Sequence, residues 1–138
     1  MYQCIFFQMQ ELVPPDIYEQ ASNEFVLWMM FRRDALQVLD LLREIYGVAI
    51  VNDWVWGGSS TMCGFRPFDS EVGASFSQHK FANAFDVHFR EADVQKVRAD
   101  IMHRKYGFMQ KIRGLELEVP WLHFDCRNCD ELLTFKPS

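Results

Sequence analysis

The spacing of apolar residues along the chain predicts two amphipathic helices. From Asp34 to Tyr46 apolar side chains recur every three or four residues, and Gly47 follows at the position where a helix commonly ends. From Ala92 to Met102 a second apolar stripe has the same period. Each helix is therefore expected to pack one face against a core.

Short runs of β-branched and aromatic residues predict the strands of one sheet. The expected strands are Val48–Val51, Ala84–Phe89, Phe108–Ile112, Leu115–Asp125 and, at one edge, Leu132–Phe135. The third and fourth strands would form a hairpin that turns at Arg113-Gly114. Helices packed on one face of an antiparallel sheet define an α+β class, and 138 residues suit a single domain spanning 1–138.

Glycine and proline mark the segments between these elements. The run Glu11–Pro15 predicts a turn, because Pro14 and Pro15 cannot lie inside a helix or a central strand. From Gly57 to Gly73 the chain predicts a long irregular stretch that also carries several aromatic side chains. Loops of that length in compact domains are usually functional or disordered, and the aromatic residues argue against disorder.

Composition and charge narrow the classes of partner. Hydrophobic residues make up 49% of the chain and aromatics 15%, which excludes wholesale disorder. The net charge of −5, without a basic block, argues against nucleic acid. The longest apolar run, Phe25–Phe31, is too short to span a membrane. Because no basic segment precedes the first apolar residues, no signal peptide is expected and synthesis in a cytoplasm is predicted.

Four cysteines suit that compartment as free thiols. Cys126 and Cys129 form a C-x-x-C pair, which could be half of a zinc knuckle or a redox pair. Cys4 and Cys63 form no second pair of this kind, so buried or incidental thiols are the favoured interpretation.

Two short segments carry candidate metal ligands. The first segment, Ser77–Asp86, contains His79 and Asp86, and the second, Val119–Asp125, contains His123. As zinc ligands, these three residues would leave a fourth position open for water. His79 and Asp86 are seven residues apart, so a straight strand would point them to opposite faces. The chain must therefore turn through Phe81–Asn83. On spacing alone the three could instead be a surface histidine, a turn carboxylate and a hydrogen-bonded core histidine.

A wider set of motifs surrounds these candidates. S-x-H-(x)6-D, followed by W-x-H, resembles the zinc D-alanyl-D-alanine carboxypeptidases and L-alanyl-D-glutamate peptidases, which share the Hedgehog-type zinc fold. The resemblance is closest to the short versions encoded by tailed bacteriophages. Further matching segments are Gln10–Pro15, Asn52–Trp54, Trp56–Gly58, Gly64–Pro67 and Trp121–Asp125.

The resemblance implies a role for each matching residue. The three candidate ligands fall on the family's ligands for Zn²⁺. Ser77 and Arg66 fall on polar residues that hold the substrate's carboxylate or carbonyl oxygen, and Arg66 could also stabilise charge that develops there. The alternatives are a loop-capping hydroxyl for Ser77 and a structural salt bridge for Arg66. Asp125, two residues past the last ligand, could orient that ligand through a hydrogen bond.

One position departs from the family pattern. In the active enzymes a carboxylate three residues before the last histidine is the general base, and here that position is Pro120. In an extended strand Glu118 and Glu116 would share its face, so Glu118 is a weak candidate base and Glu116 a remote one. Both could instead be solvated surface carboxylates.

These features predict a zinc metallopeptidase that acts on a stem peptide or cross-link of bacterial peptidoglycan. A phage origin is expected, with the protein released at lysis or associated with virion proteins. The alternative is a catalytically weak or inactive zinc-binding member that serves as a virion structural or wall-binding module. Pro120 favours that alternative.

Overall fold

The computed structural model describes residues 1–137 of the chain. They contain four α-helices and five strands. The helices are α1 Pro15–Gln20, α2 Glu24–Met30, α3 Arg33–Tyr46 and α4 Val94–Met102. The strands are β1 Ala49–Ile50, β2 Ala84–Phe89, β3 Gly114–Glu116, β4 Leu122–Asp125 and β5 Leu133–Phe135. Four short 3-10 helices lie at Met9–Glu11, Trp54–Trp56, Gln78–Phe81 and Gly107–Lys111.

The five strands form one mixed sheet in the order β1-β2-β4-β3-β5. The first three pairs in this order are antiparallel, but β3 and β5 are parallel. The fold is α+β as predicted, whereas the expectation of a purely antiparallel sheet is wrong at this edge. The reason lies in the path of the chain: β4 runs antiparallel to β3, and the chain reverses again over 126–132, so β5 runs in the same direction as β3, with which it pairs.

The two faces of the sheet differ in chemistry. On one face Phe85 pairs with Phe124 across β2 and β4, and Leu115 pairs with Phe124 across β3 and β4. All three side chains are fully buried in the apolar cluster that also holds the leucines of α3. Burying each such side chain contributes roughly 1.5–3 kcal/mol. The opposite face carries Asp86 directly across from His123.

The helices agree in part with the sequence pattern. The two predicted helices are α3 and α4, with α4 beginning two residues later than expected, whereas α1 and α2 were not predicted. Pro15 is the first residue of α1, where a missing N–H costs nothing, so the two prolines start a helix. Asn23 caps α2 by accepting from the N–H of Phe25 at 3.0 Å. Within residues 1–137 no helix is both long and apolar enough to cross a membrane.

The predicted hairpin is wrong in its details. Phe108–Ile112 lies mostly in a 3-10 helix and forms no strand. The expected strand Leu115–Asp125 is interrupted, because β3 and β4 are separate antiparallel strands joined by a turn over 117–121. Within that turn Glu118 has a left-handed backbone with φ of 62°, which redirects the chain. Gly114 begins β3 and does not form the turn.

Arg98 of α4 stabilises this turn through two hydrogen bonds to its backbone. Its side chain is buried, with Nη1 donating to the carbonyl of Trp121 at 2.9 Å and Nη2 to the carbonyl of Val119 at 3.0 Å. Trp121 directly precedes β4, the strand that carries His123, and Val119 lies two residues earlier in the turn. The guanidinium therefore sets the point at which β4 begins.

We expect Arg98→Met to destabilise the fold by roughly 2–4 kcal/mol, because two carbonyls lose charged donors that water cannot easily replace. Arg33→Met, at an exposed position where α3 begins, is the matched control and should change stability by less than about 0.5 kcal/mol. The free energy of unfolding in urea measures both. Equal values for the two variants would show that Arg98 does not hold the turn.

Candidate metal centre

The fold brings the three predicted ligands together. Asp86 on β2 and His123 on β4 are direct cross-strand partners. His79 lies in the 3-10 helix that precedes β2, and Ala82, with a left-handed φ of 53°, turns the chain back between them. This is the turn through 81–83 that the odd spacing of His79 and Asp86 requires. The three ligands are almost completely buried, with at most 7% of each residue exposed.

The distances among the ligand atoms suit a divalent metal. His79 Nε2 is 3.3 Å from Asp86 Oδ1, and His123 Nδ1 is 2.9 Å from the same oxygen. Tetrahedral ligands bound to zinc at 2.0–2.1 Å lie roughly 3.3 Å apart. All three ligand atoms lie within 4.8 Å of one another, and within residues 1–137 this is the one cluster of its kind.

Hydrogen bonds to the ring nitrogens that point away from Asp86 set the tautomer of each histidine. His79 Nδ1 is 2.8 Å from the carbonyl oxygen of Gly64, which can only accept, so Nδ1 carries the proton. His123 Nε2 is 2.9 Å from Asp125 Oδ2 and donates to it in the same way. Neutral imidazoles with these tautomers present lone pairs on His79 Nε2 and His123 Nδ1, the two atoms that face Asp86.

His79 and Asp86 form a contact that needs a cation. Burial lowers the pKa of His79 and so disfavours its charged form. With Nδ1 holding the only proton, Nε2 directs a lone pair at a carboxylate oxygen 3.3 Å away. Neither atom can then donate a hydrogen bond, so a metal ion between them would convert a repulsion into two bonds.

His123 can supply a proton in place of that metal. Burial opposes a charge on its ring, but hydrogen bonds to Asp125 and Asp86 outweigh this and raise the pKa of His123 to about 9. Burial also opposes a charge on Asp86, yet its hydrogen bond to His123 holds its pKa below the ordinary value. A metal entering the centre would displace the His123 proton.

The loop before the 3-10 helix positions His79. The N–H of Arg66 donates to the carbonyl of His79 at 3.1 Å, while Gly64 supplies the acceptor for its ring. A Cβ on Gly64 would overlap the carbonyl of Leu12, so only glycine allows the loop to pass this close. The glycine-rich stretch that the sequence marked as irregular therefore supports a ligand.

Arg66 and Ser77 both have structural contacts at the edge of the centre. Arg66 Nη2 lies 3.1 Å from Asp86 Oδ2, and its Nε donates to the carbonyl of Met62 at 2.7 Å. Ser77 Oγ accepts from the N–H of His79 at 3.3 Å, which caps the 3-10 helix. Both residues also line the cleft above the cluster, so their contact with a substrate stays a prediction.

Asp125 lies behind His123, as the sequence suggested, and has a second partner that sequence reasoning missed. Arg127 Nε donates to Asp125 Oδ1 at 2.7 Å and Arg127 Nη2 to Oδ2 at 2.6 Å. Burial opposes a charge on Asp125, but Arg127 and His123 outweigh it and lower the pKa of Asp125 to about 2. The two-residue spacing of Asp125 and Arg127 was the only signal in the sequence. Gly114 stands opposite Asp125, and a Cβ there would overlap the carboxylate.

A cleft of about 520 Å³ opens over the three ligands, within the size range of small-molecule sites. Trp121, Phe135 and Glu116 are part of its wall. Glu118, the candidate base from the sequence, is exposed, and its Oε1 lies 3.2 Å from Lys136 Nζ at the surface. Glu116 therefore lies nearer to the chemistry of the centre than Glu118.

The cysteines lie outside the ligand cluster. Cys126 is buried and Cys129 half-buried, and both are free thiols. Burial raises the pKa of Cys126 to about 12, which keeps its sulfur protonated in the metal-free protein. An incidental role for the C-x-x-C pair stays a prediction.

Comparison with family models, with curated proteins and with solved structures finds no match to this chain. The family resemblance described from its motifs therefore stays a prediction.

We expect the metal-free protein to lose stability as the pH rises from 6.5 to about 9. The pKa of His123 is raised from 6.5 to about 9 in the fold, so its contribution is complete below 6.5 and lost above 9. The expected loss is on the order of 2 kcal/mol. Urea unfolding in the presence of chelator measures it, and the zinc-loaded protein is the control in which this decline should vanish. Equal stability at both pH values in chelator would contradict the bridging proton.

We expect Gly114→Ala to weaken zinc binding roughly 10- to 100-fold, because the new methyl group displaces Asp125 from His123. Gly107→Ala is the matched control, since a Cβ there meets no atom within 4 Å. Competition with a chromophoric chelator gives the affinity of each folded variant. If both variants bind zinc as tightly as the wild type does, Asp125 does not orient the ligand.

Proposed function

We propose that this chain is a zinc-dependent hydrolase that cleaves peptide bonds of bacterial peptidoglycan. The observation that carries the proposal is the contact between His79 Nε2 and Asp86 Oδ1, which a neutral histidine cannot make favourably without a cation. With His123 Nδ1, the donor set is two imidazoles and one carboxylate, which suits zinc. The cleft above the cluster leaves room for a substrate.

When bound, zinc would supply a Lewis acid and acidify water at an open position. Arg66 would orient the substrate: Met62 and Asp86 anchor two of its nitrogens, and because Arg66 lines the cleft, its remaining N–H groups would be offered to a substrate. Those groups could bind a carboxylate or a carbonyl oxygen on which charge develops. The Ser77 hydroxyl accepts from the backbone and keeps its own proton for donation to the substrate.

The substrate class rests on the motif resemblance. S-x-H-(x)6-D and W-x-H, in the order found here, resemble zinc peptidases that cut the stem peptides and cross-links of bacterial cell walls. A bound stem peptide would present carboxylate and carbonyl groups, and in this proposal Arg66 and Ser77 hold them. We extend the proposal to a phage protein that reaches the wall at lysis or as part of a virion.

A second candidate function follows from Pro120. This residue has no side chain that can accept a proton, and Glu118 beside it is paired with Lys136 at the surface. General-base assistance is typically worth ~10²–10⁴ in rate, so a chain without it could bind zinc and cell wall but hydrolyse poorly. That chain would serve as a virion structural or wall-binding module.

We expect zinc-loaded protein to release new peptide ends from purified peptidoglycan, and chelator to abolish this release. Asp86→Ala should lose both zinc and activity, because it removes the ligand that joins the two histidines, whereas Asp16→Ala at an exposed position should retain both. Metal analysis and mass spectrometry of the released fragments measure these outcomes. Cleavage that persists in chelator would contradict a zinc hydrolase. Zinc binding with wall binding but no cleavage would favour the second candidate.

A further inference from the structure

Glu116 lies beside the metal centre because of the register between β3 and β4. Gly114 pairs with Asp125 and Leu115 with Phe124, so the next antiparallel pair places Glu116 opposite His123. Residues directly opposite in an antiparallel pair lie on the same face, with Cβ atoms roughly 4.5–5.5 Å apart. The side chain of Glu116 therefore emerges next to a ligand, on the face that bears the cluster.

The surroundings of Glu116 are those of a cleft wall. It is half-buried and lines the same cleft as Asp86 and His123. On its other side β5 pairs it with Phe135, whose ring centroid is 5.5 Å from that of His123. Glu116 thus lies between the strand that carries Phe135 and the strand that carries a ligand.

The strand geometry explains why Glu116, and not Glu118, lies beside the metal centre. If the chain ran extended to His123, Glu118 would lie two residues before Pro120 and Glu116 four residues before it, all on the same face of the strand. Glu118 would then be the nearer of the two. Instead β3 ends at Glu116 and the chain reverses through Glu118, whose φ of 62° is left-handed. The reversal carries Glu118 to the surface and brings Glu116 alongside the last ligand.

We propose that Glu116 is the proton acceptor of this centre, acting from the strand next to His123 in place of the carboxylate that Pro120 lacks. The inference rests on the proposed function and deepens it. In the step, an attacking water gives a proton to the Glu116 carboxylate while its oxygen bonds to the scissile carbonyl carbon. The carbon–nitrogen bond then breaks, and Glu116 returns the proton to the leaving amine nitrogen. No oxidant or further reactant is needed.

Glu116→Gln and Glu118→Gln form a matched pair that tests this role. Each removes a proton acceptor and nearly preserves shape, and metal content and melting temperature establish that both variants fold and bind zinc. Glu116→Gln should lower peptidoglycan hydrolysis by ~10²–10⁴, and Glu118→Gln should leave it near the wild-type rate. The reverse result, or an unchanged rate in Glu116→Gln, would overturn the proposal.

Binding of acetohydroxamate to the zinc-loaded proteins gives a second readout that does not depend on turnover. Its metal-chelating group also offers protons to a neighbouring carboxylate, so Glu116→Gln should weaken its affinity roughly tenfold or more and Glu118→Gln should not. Weaker binding only in Glu116→Gln, without hydrolysis by the wild type, would retain Glu116 as the acceptor and overturn the peptidoglycan substrate. Equal hydroxamate affinity in the wild type and both variants, or no binding by the wild type, would overturn the role of Glu116.

Discussion

The buried carboxylate of Asp86 is the group on which the arrangement of the centre depends. A carboxylate removed from water costs several kcal/mol unless charges and hydrogen bonds compensate for it. His123 and Arg66 compensate from β4 and from the glycine-containing loop, but His79 turns a lone pair towards it. The site is therefore incomplete as a set of protein contacts alone, and a divalent metal would satisfy all three donors at once. The pairing of β2 with β4, which an apolar core secures on the opposite face, holds the donors at the required spacing.

Much of the fold could be predicted from periodicity. The long helix α3 and the strand β2 carry strong 3.6- and two-residue patterns, and both match the structure closely. The short helices α1 and α2 could not be predicted, because six or seven residues give too little periodicity and Pro15 suggests a turn. The parallel edge pair was missed for a different reason. It depends on β5 pairing with β3 and not with β4, the strand that precedes it, and no local pattern records which strand becomes the neighbour.

The features of the metal centre also differ in how well the sequence predicts them. The odd spacing of His79 and Asp86 predicted a turn between them, and the left-handed Ala82 provides it. In an extended strand Glu118 would lie closer to the centre than Glu116. The register of β3 with β4 instead brings Glu116 close to it, and Glu118 lies at the surface. Residue types thus identified the three side chains that the fold brings together as a possible metal centre. The positions of the supporting carboxylates and cations, including Arg127, depend on which strands become neighbours. They could therefore be identified only from the structure.

X-ray absorption at the zinc edge of the loaded protein tests the metal centre most directly. The predicted result is one zinc per chain, with nitrogen and oxygen scatterers at about 2.0–2.1 Å and the outer-shell signature of two imidazoles. Failure of the protein to retain zinc would contradict the centre at His79, Asp86 and His123. Sulfur scatterers at about 2.3 Å would also contradict it, because they would place the metal on the cysteines.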